Sequence, residues 1–156
     1  MSLANELGMK RPFELPGHEA LLSIYYTASI LKKRADEFFR PFGVTDVQYN
    51  VITLLIYHAD DSGGLSQASL SDMMLVNRAN ITSLIDRMEK AGLVIRTAAE
   101  DRRFKIVKAT EKAKQLMSVI EPLYRQQVQE LMGHLSDTQQ SQLINITEAI
   151  RKELRK

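Results

Sequence analysis

Arg102 and Arg103 stand side by side behind Glu100 and Asp101, between two short apolar runs, LVIR at 93–96 and KIVKA at 105–109. Asp suits a hairpin tip, but two adjacent forked cations suit one only if something anionic meets them. A second group lies just upstream. Asn77, Arg78, Asn80, Thr82, Ser83 and Arg87 all carry hydrogen-bonding side chains, interleaved with Ile81, Leu84, Ile85 and Met88. The apolar four follow i, i+3, i+4, i+7, which buries one helix face and turns the polar residues outward. Arg can grip guanine O6 and N7, and Asn can grip adenine N6 and N7. A free helix N-terminus favours a nearby phosphate, and Arg87, further along, is placed for the backbone. The chemistry these residues suggest is contact with duplex DNA, bases from the helix and backbone from the tip.

Such residues need a scaffold. Ser66 can cap a short helix, QASLSDMML, and Asn77 can cap the next, RANITSLIDRMEKA, which Gly92 stops from the C′ position. Two short helices joined by a tight turn make a helix-turn-helix, whose second helix enters the major groove. The ribbon that follows then reads as a wing. From Arg96 to Lys108 it holds five basic residues (Arg96, Arg102, Arg103, Lys105, Lys108) against Glu100 and Asp101. A narrow minor groove attracts inserted Arg. Asp101 is expected to pair with Arg103 across the turn and leave Arg102 for DNA. An exposed pair contributes only about 0–1 kcal/mol, so its role is shape rather than stability. Taken singly, each polar group reads equally well as solvated surface. Their order in one continuous stretch carries the argument.

The flanks supply the rest. From Glu19 to Arg40, Leu21, Leu22, Tyr25, Ala28, Leu31, Ala35, Phe38 and Phe39 recur at helical spacing, and Pro41 ends the run. Thr45 caps DVQYNVITLLIYHA, with Val47, Val51, Leu54, Leu55 and His58 as its expected buried stripe; DDSGG at 60–64 is a loop. Thr110 caps EKAKQLMSVIEPLYRQQVQELMGHL, where Pro122 is expected to introduce a kink. SDTQ at 136–139 has capping-box form and opens a last helix with Leu143, Ile146, Ile150 and Leu154 on one stripe. The expected fold is mainly α with a small β-wing. A winged helix-turn-helix domain at 45–109 is flanked by helical dimerisation regions at 18–44 and 110–156, after a flexible arm at 1–17. More apolar helix surface lies at the two ends than one small domain can cover, which points to a homodimer.

Composition narrows the alternatives. The 156 residues are 44% hydrophobic with a formal charge of +2, so charge placement rather than total charge must carry a DNA argument. There is no cysteine, which excludes thiol nucleophiles, disulfides and cysteine redox sensing. His18, His58 and His134 sit in no ligand-spaced motif, and no metal or cofactor is expected. No Gly-rich phosphate loop, His-Glu metal helix or serine elbow is present, so no enzyme is expected. With no run of membrane length and no secretory apolar segment near the start, the expectation is a cytoplasmic, nucleoid-associated protein without membrane partners. Tyr25, Tyr26, Tyr49 and His58 on the first two helices could line a small-molecule pocket, although core or interface packing explains each of them too. The rival function is a winged helix that binds protein without specific DNA binding. Arg78, Arg87, Arg102 and Arg103 favour DNA.

From about residue 20 to 154 the chain resembles the MarR family of bacterial winged-helix regulators. The resemblance is sharpest from LSQASLSDMM through IDRMEKAGLVIR to the wing. The family's wing signature, Asp-x-Arg-x-x-x-Val-x-Leu-Thr, is met by Asp101, Arg103, Val107 and Thr110, with Ala109 where Leu is usual. Ala113 and Leu75 stand where the family often has Gly. The resemblance implies a homodimer with interlocked terminal helices that binds double-stranded DNA at a pseudo-palindromic operator, usually as a repressor. By symmetry the half-sites lie about one helical turn apart, roughly 10 bp. It also implies release by a small phenolic or other ligand held where the dimer helices meet the winged domain.

Overall fold

The computed structural model describes residues 2–74, 78–98 and 105–156, the side chains of 78 and 79 excepted. In chain order the elements are α1 (Leu3–Glu6), α2 (Pro16–Phe39), α3 (Asp46–Tyr57), β1 (Leu65–Ser66), α4 (Gln67–Met74), α5 (Arg78–Lys90), β2 (Val94–Ala98), β3 (Lys105–Ala109), α6 (Glu111–Met132) and α7 (Asp137–Leu154). A single 3-10 turn, Arg40–Phe42, bends the chain between α2 and α3.

Local chemistry sets the helix ends. Thr45 and Gln48 form a reciprocal capping box on α3, and Ser136 and Gln139 form another on α7. After α5, Gly92 takes φ 71°. Its N–H donates to Glu89 O at 2.9 Å and Leu93 N–H donates to Met88 O at 2.9 Å, the double bond of a Schellman stop. Thr110 then ties this stop to the next helix. Its hydroxyl donates to Gly92 O at 2.7 Å and accepts from Ala113 N–H at 3.2 Å.

The sheet is antiparallel with order β1-β3-β2. Leu65 pairs with Val107, and Arg96 pairs with Val107 from the other side. The sequence reading expects a two-stranded ribbon. The third strand is two residues long, too short to show alternation. It approaches β3 closely because Gly64 lacks a side chain: a Cβ there would lie 2.3 Å from Val107 O.

One core joins α3, α4, α5, the sheet and the first half of α6, with the C-terminal end of α2. Ile81, Leu84, Ile85 and Met88 are all buried, as their spacing predicts. Phe39, Tyr49 and Tyr124 stack where α2, α3 and α6 meet, with Phe39–Tyr49 and Tyr49–Tyr124 centroids 4.9 and 5.0 Å apart.

Several expectations shift. His58 does not belong to the buried stripe of α3. The helix ends at Tyr57, and His58 turns out at φ −127° and ψ 17° as an exposed cap. α2 starts at Pro16, three residues earlier than its apolar spacing suggests, because proline fits the first helical turn. α6 continues through Pro122, whose missing N–H leaves the Ser118 carbonyl without its intrahelical donor. Residues 3–6, expected within an irregular arm, form α1; Leu3 and Ala4 are buried and Leu3 N–H donates to Glu19 Oε1 at 2.9 Å. Four residues are too few to show a helical period.

Candidate nucleic-acid interface

α5 is amphipathic, and burying its apolar stripe commits the other face to solvent. Asn80, Thr82, Ser83 and Arg87 are all exposed on it. Gln67 Nε2, at the start of α4, donates to Thr82 Oγ1 at 3.2 Å and ties the two helices together. Arg87 Nε donates to Ser83 O at 3.3 Å, which lays its side chain along the helix toward the N-terminal half. Arg78 is the first residue of α5. Asn77 and Leu75, and with them the expected cap and turn, lie outside the described residues. A hollow of about 390 Å³ flanks this face, lined by Thr45, Val47, Gln48, Asn80, Leu84 and Arg87.

The ribbon runs directly on from α5. Lys105 is exposed at the start of β3, opposite Ala98, and Lys108 is half-exposed. Asp101, Arg102 and Arg103, and with them the expected Asp101–Arg103 pair, lie outside the described residues.

Arg96 departs from the sequence reading, which counts it among the wing's basic residues. Its guanidinium reaches back to α5, with Nη1 2.6 Å from Glu89 Oε2 and Nη2 2.5 Å from Asp86 Oδ1. The other Glu89 oxygen accepts the Arg96 backbone N–H at 3.0 Å. The side chain is only 14% exposed. Burial works against its charge, but the bonds to Asp86 and Glu89 outweigh that and hold its pKa above the ordinary arginine value. Arg96 therefore adds little free positive charge to the ribbon. Asp86 and Glu89 were missed as partners. The signal was strand parity: Arg96 shares a face with Val94, which is fully buried beside α5.

Two further links tie the centre to the outer helices. Lys32 on α2 bonds Asp36 at 2.5 Å and Asp46, in the first turn of α3, at 2.9 Å, and these bonds raise its pKa. Tyr57 Oη, at the end of α3, donates to Glu121 Oε2 on α6 at 2.5 Å, while Arg125 holds the other Glu121 oxygen at 2.9 Å. The Tyr57 bond raises the phenol pKa and, with Arg125, depresses that of Glu121.

Within one chain the four suggested pocket residues are not brought together. Tyr49 is in the aromatic core, where burial raises its phenol pKa. Tyr25 and Tyr26 are exposed on α2, and His58 is exposed at the end of α3. Among the described residues, no three His, Asp or Glu side chains gather as metal ligands, and no helix is long and apolar enough to cross a membrane.

Comparison with known proteins agrees with this layout. A family model for the MarR family matches residues 42–103. The Escherichia coli HTH-type transcriptional regulator PrsX is 30% identical over 128 residues, 80% of this chain and 72% of that protein. A Thauera aromatica protein, named as a transcriptional regulator for the hcr operon, is 29% identical over 112 residues. That match takes in 71% of this chain and spans 65% of the Thauera protein's length. The Staphylococcus aureus MepR–DNA complex superposes with TM-score 0.75 at 18% identity, covering 84% of this chain and 93% of MepR. CouR from Rhodococcus jostii, bound to p-coumaroyl-CoA, superposes with TM-score 0.75 at 22% identity, covering 88% and 95%. At these identities the two structures share the fold.

Proposed function

Since the chain belongs to the MarR family, a family of transcriptional regulators rather than enzymes, we propose that it is a cytoplasmic, sequence-specific DNA-binding regulator. It binds a pseudo-palindromic operator as a homodimer, acts as a repressor, and is released by a small molecule. The observation that carries this reading is the exposed face of α5, where Asn80, Thr82, Ser83 and Arg87 stand beside a ribbon that leads to Arg102 and Arg103.

In this reading α5 enters the major groove. Asn80 and Arg78 meet base edges, Thr82 and Ser83 add shorter hydrogen bonds, and Arg87 meets phosphate. Arg102 inserts into the adjoining minor groove, with Arg103 held by Asp101 and Lys105 against the backbone. The domain organisation read from the sequence supports the dimer. α7 contributes no buried residue and α2 only Phe39, so their apolar stripes await a second copy. Release by a ligand follows from the links on α3. A phenolic or other small molecule that shifts α2 or α6 would move α3 through Lys32–Asp46 and Tyr57–Glu121 and alter the spacing of the two winged domains. The binding of p-coumaroyl-CoA by CouR supports a small-molecule effector.

The test is a fluorescence-anisotropy titration against DNA from the gene's own upstream region at several salt concentrations. Tight binding of one dimer to a palindromic segment is expected, with log K falling by about 0.9 per log salt for each phosphate neutralised. Uniformly weak, salt-insensitive binding would instead favour a protein-binding winged helix.

A further inference from the structure

The geometry points to Arg96 as a positioning residue that clamps the wing to the recognition helix before DNA arrives, fixing the reach between the face of α5 and the wing tip.

The inference rests on the DNA-binding reading above. Three bonds converge on one spot. The guanidinium fork takes Asp86 and Glu89, which lie at i and i+3 on one face of α5. Glu89 also accepts the Arg96 main-chain N–H, so strand β2 is held by its backbone as well as its side chain. On its other edge Arg96 faces fully buried Val107 of β3. Two residues later β2 ends at Ala98, and the chain enters the tip. A helix-and-wing reader must span from the major groove to the next minor groove, and a misplaced wing forfeits its tip contacts while leaving those of the helix. The clamp orders that span in the free protein, which removes part of the ordering cost from binding. It also neutralises two carboxylates that would otherwise stand on a helix facing phosphate. Arg96 itself is too enclosed and too engaged to serve as a phosphate contact.

Three variants separate geometry from charge. Arg96→Lys keeps the charge but replaces the fork with a single ammonium. Arg96→Gln removes the charge. Arg96→Gln combined with Asp86→Asn and Glu89→Gln removes the clamp yet leaves the protein one charge more positive than the natural chain. Each is made with and without Arg102→Ala, and operator affinity, non-specific affinity and melting temperature are measured.

Arg96→Lys is expected to cost about tenfold in operator affinity, with non-specific binding within about twofold. Beside Arg102→Ala it should cost little more, because the wing contact is already gone. The triple variant should stay weak despite its extra positive charge. Losses that simply add, a triple variant as tight as the natural protein, or a further fall of about 0.9 in salt slope for Arg96→Gln beside Arg102→Ala would each overturn the assignment.

A DNA-free readout decides the clamp on its own. Because the chain has no cysteine, spin labels placed through Ser83→Cys and Ala98→Cys report the helix-to-wing distance. Arg96→Lys should broaden that distribution, and an unchanged width overturns the clamp. If the natural protein binds no DNA, the proposed function falls, while the distance measurement still rules on Arg96.

Discussion

Ile85 on α5 and Ile146 on α7 both sit on apolar stripes of amphipathic helices. Ile85 has no exposed surface, whereas Ile146 is 59% exposed. The same contrast separates the winged centre from the outer helices as a whole. The centre closes its core within one chain, with Val51, Leu70, Ile85, Met88, Val94 and Val107 all fully buried. The outer helices carry Leu21, Ile24, Leu31, Leu143, Ile146 and Ile150 at the surface. Equal patterning thus has two destinations. A stripe flanked by a sheet and two short helices finds cover in its own chain; one on a long helix that leaves the domain needs cover from elsewhere. Specificity for DNA sits in the centre, and assembly sits in the ends.

The largest expected effect lies at the ends. Ile146→Glu with Ile150→Glu should convert a dimer to a monomer by sedimentation. Operator affinity should fall by about a hundredfold or more, because two half-sites are no longer read together. A dimer that survives both charges would place the interface elsewhere. In the centre, Ile85→Ala should cost about 2–5 kcal/mol in urea unfolding through the cavity it leaves. A loss below about 1 kcal/mol would mean that the centre is less tightly closed than its burial indicates.

A smaller effect is expected at the wing. Arg102→Ala should weaken operator binding about tenfold and lower the salt slope by about 0.9, with an unchanged melting temperature. Unchanged affinity at physiological salt would remove the wing from the interface. The smallest effect concerns the seam between the two regions. Glu121 has a depressed folded pKa, so its bond to Tyr57 contributes stability above the ordinary carboxylate range and loses it as pH falls through the depressed value. Glu121→Gln should therefore lower the melting temperature slightly near neutral pH, and the difference from the natural protein should vanish in acid. A gap that widens in acid would reverse the assignment.

Much of this was legible before the fold was known. Gly92 as a stop, Thr45, Thr110 and Ser136 as caps, and the α5 stripe follow from local rules that act within a few residues. So does the outward set Asn80, Thr82, Ser83 and Arg87, because a helix that buries one face exposes the other. Other features were out of reach. β1 depends on Gly64 lying against Val107, a contact made across 43 positions in the sequence. Tyr49 became core rather than pocket only because Phe39 and Tyr124 arrive from two other helices.

Arg96 shows the division most clearly. Its type and neighbourhood mark a basic ribbon, and a charge count along the chain adds it to Arg102, Arg103, Lys105 and Lys108. Its partners, Asp86 and Glu89, are nearby in sequence but on another element. Only the packing of β2 across α5 decides that the guanidinium points inward. Local periodicity and capping are short-range properties that the chain carries in its order of residues. Which charges meet, and which apolar stripes find cover, depends on how separate elements pack, and that is decided by the tertiary structure.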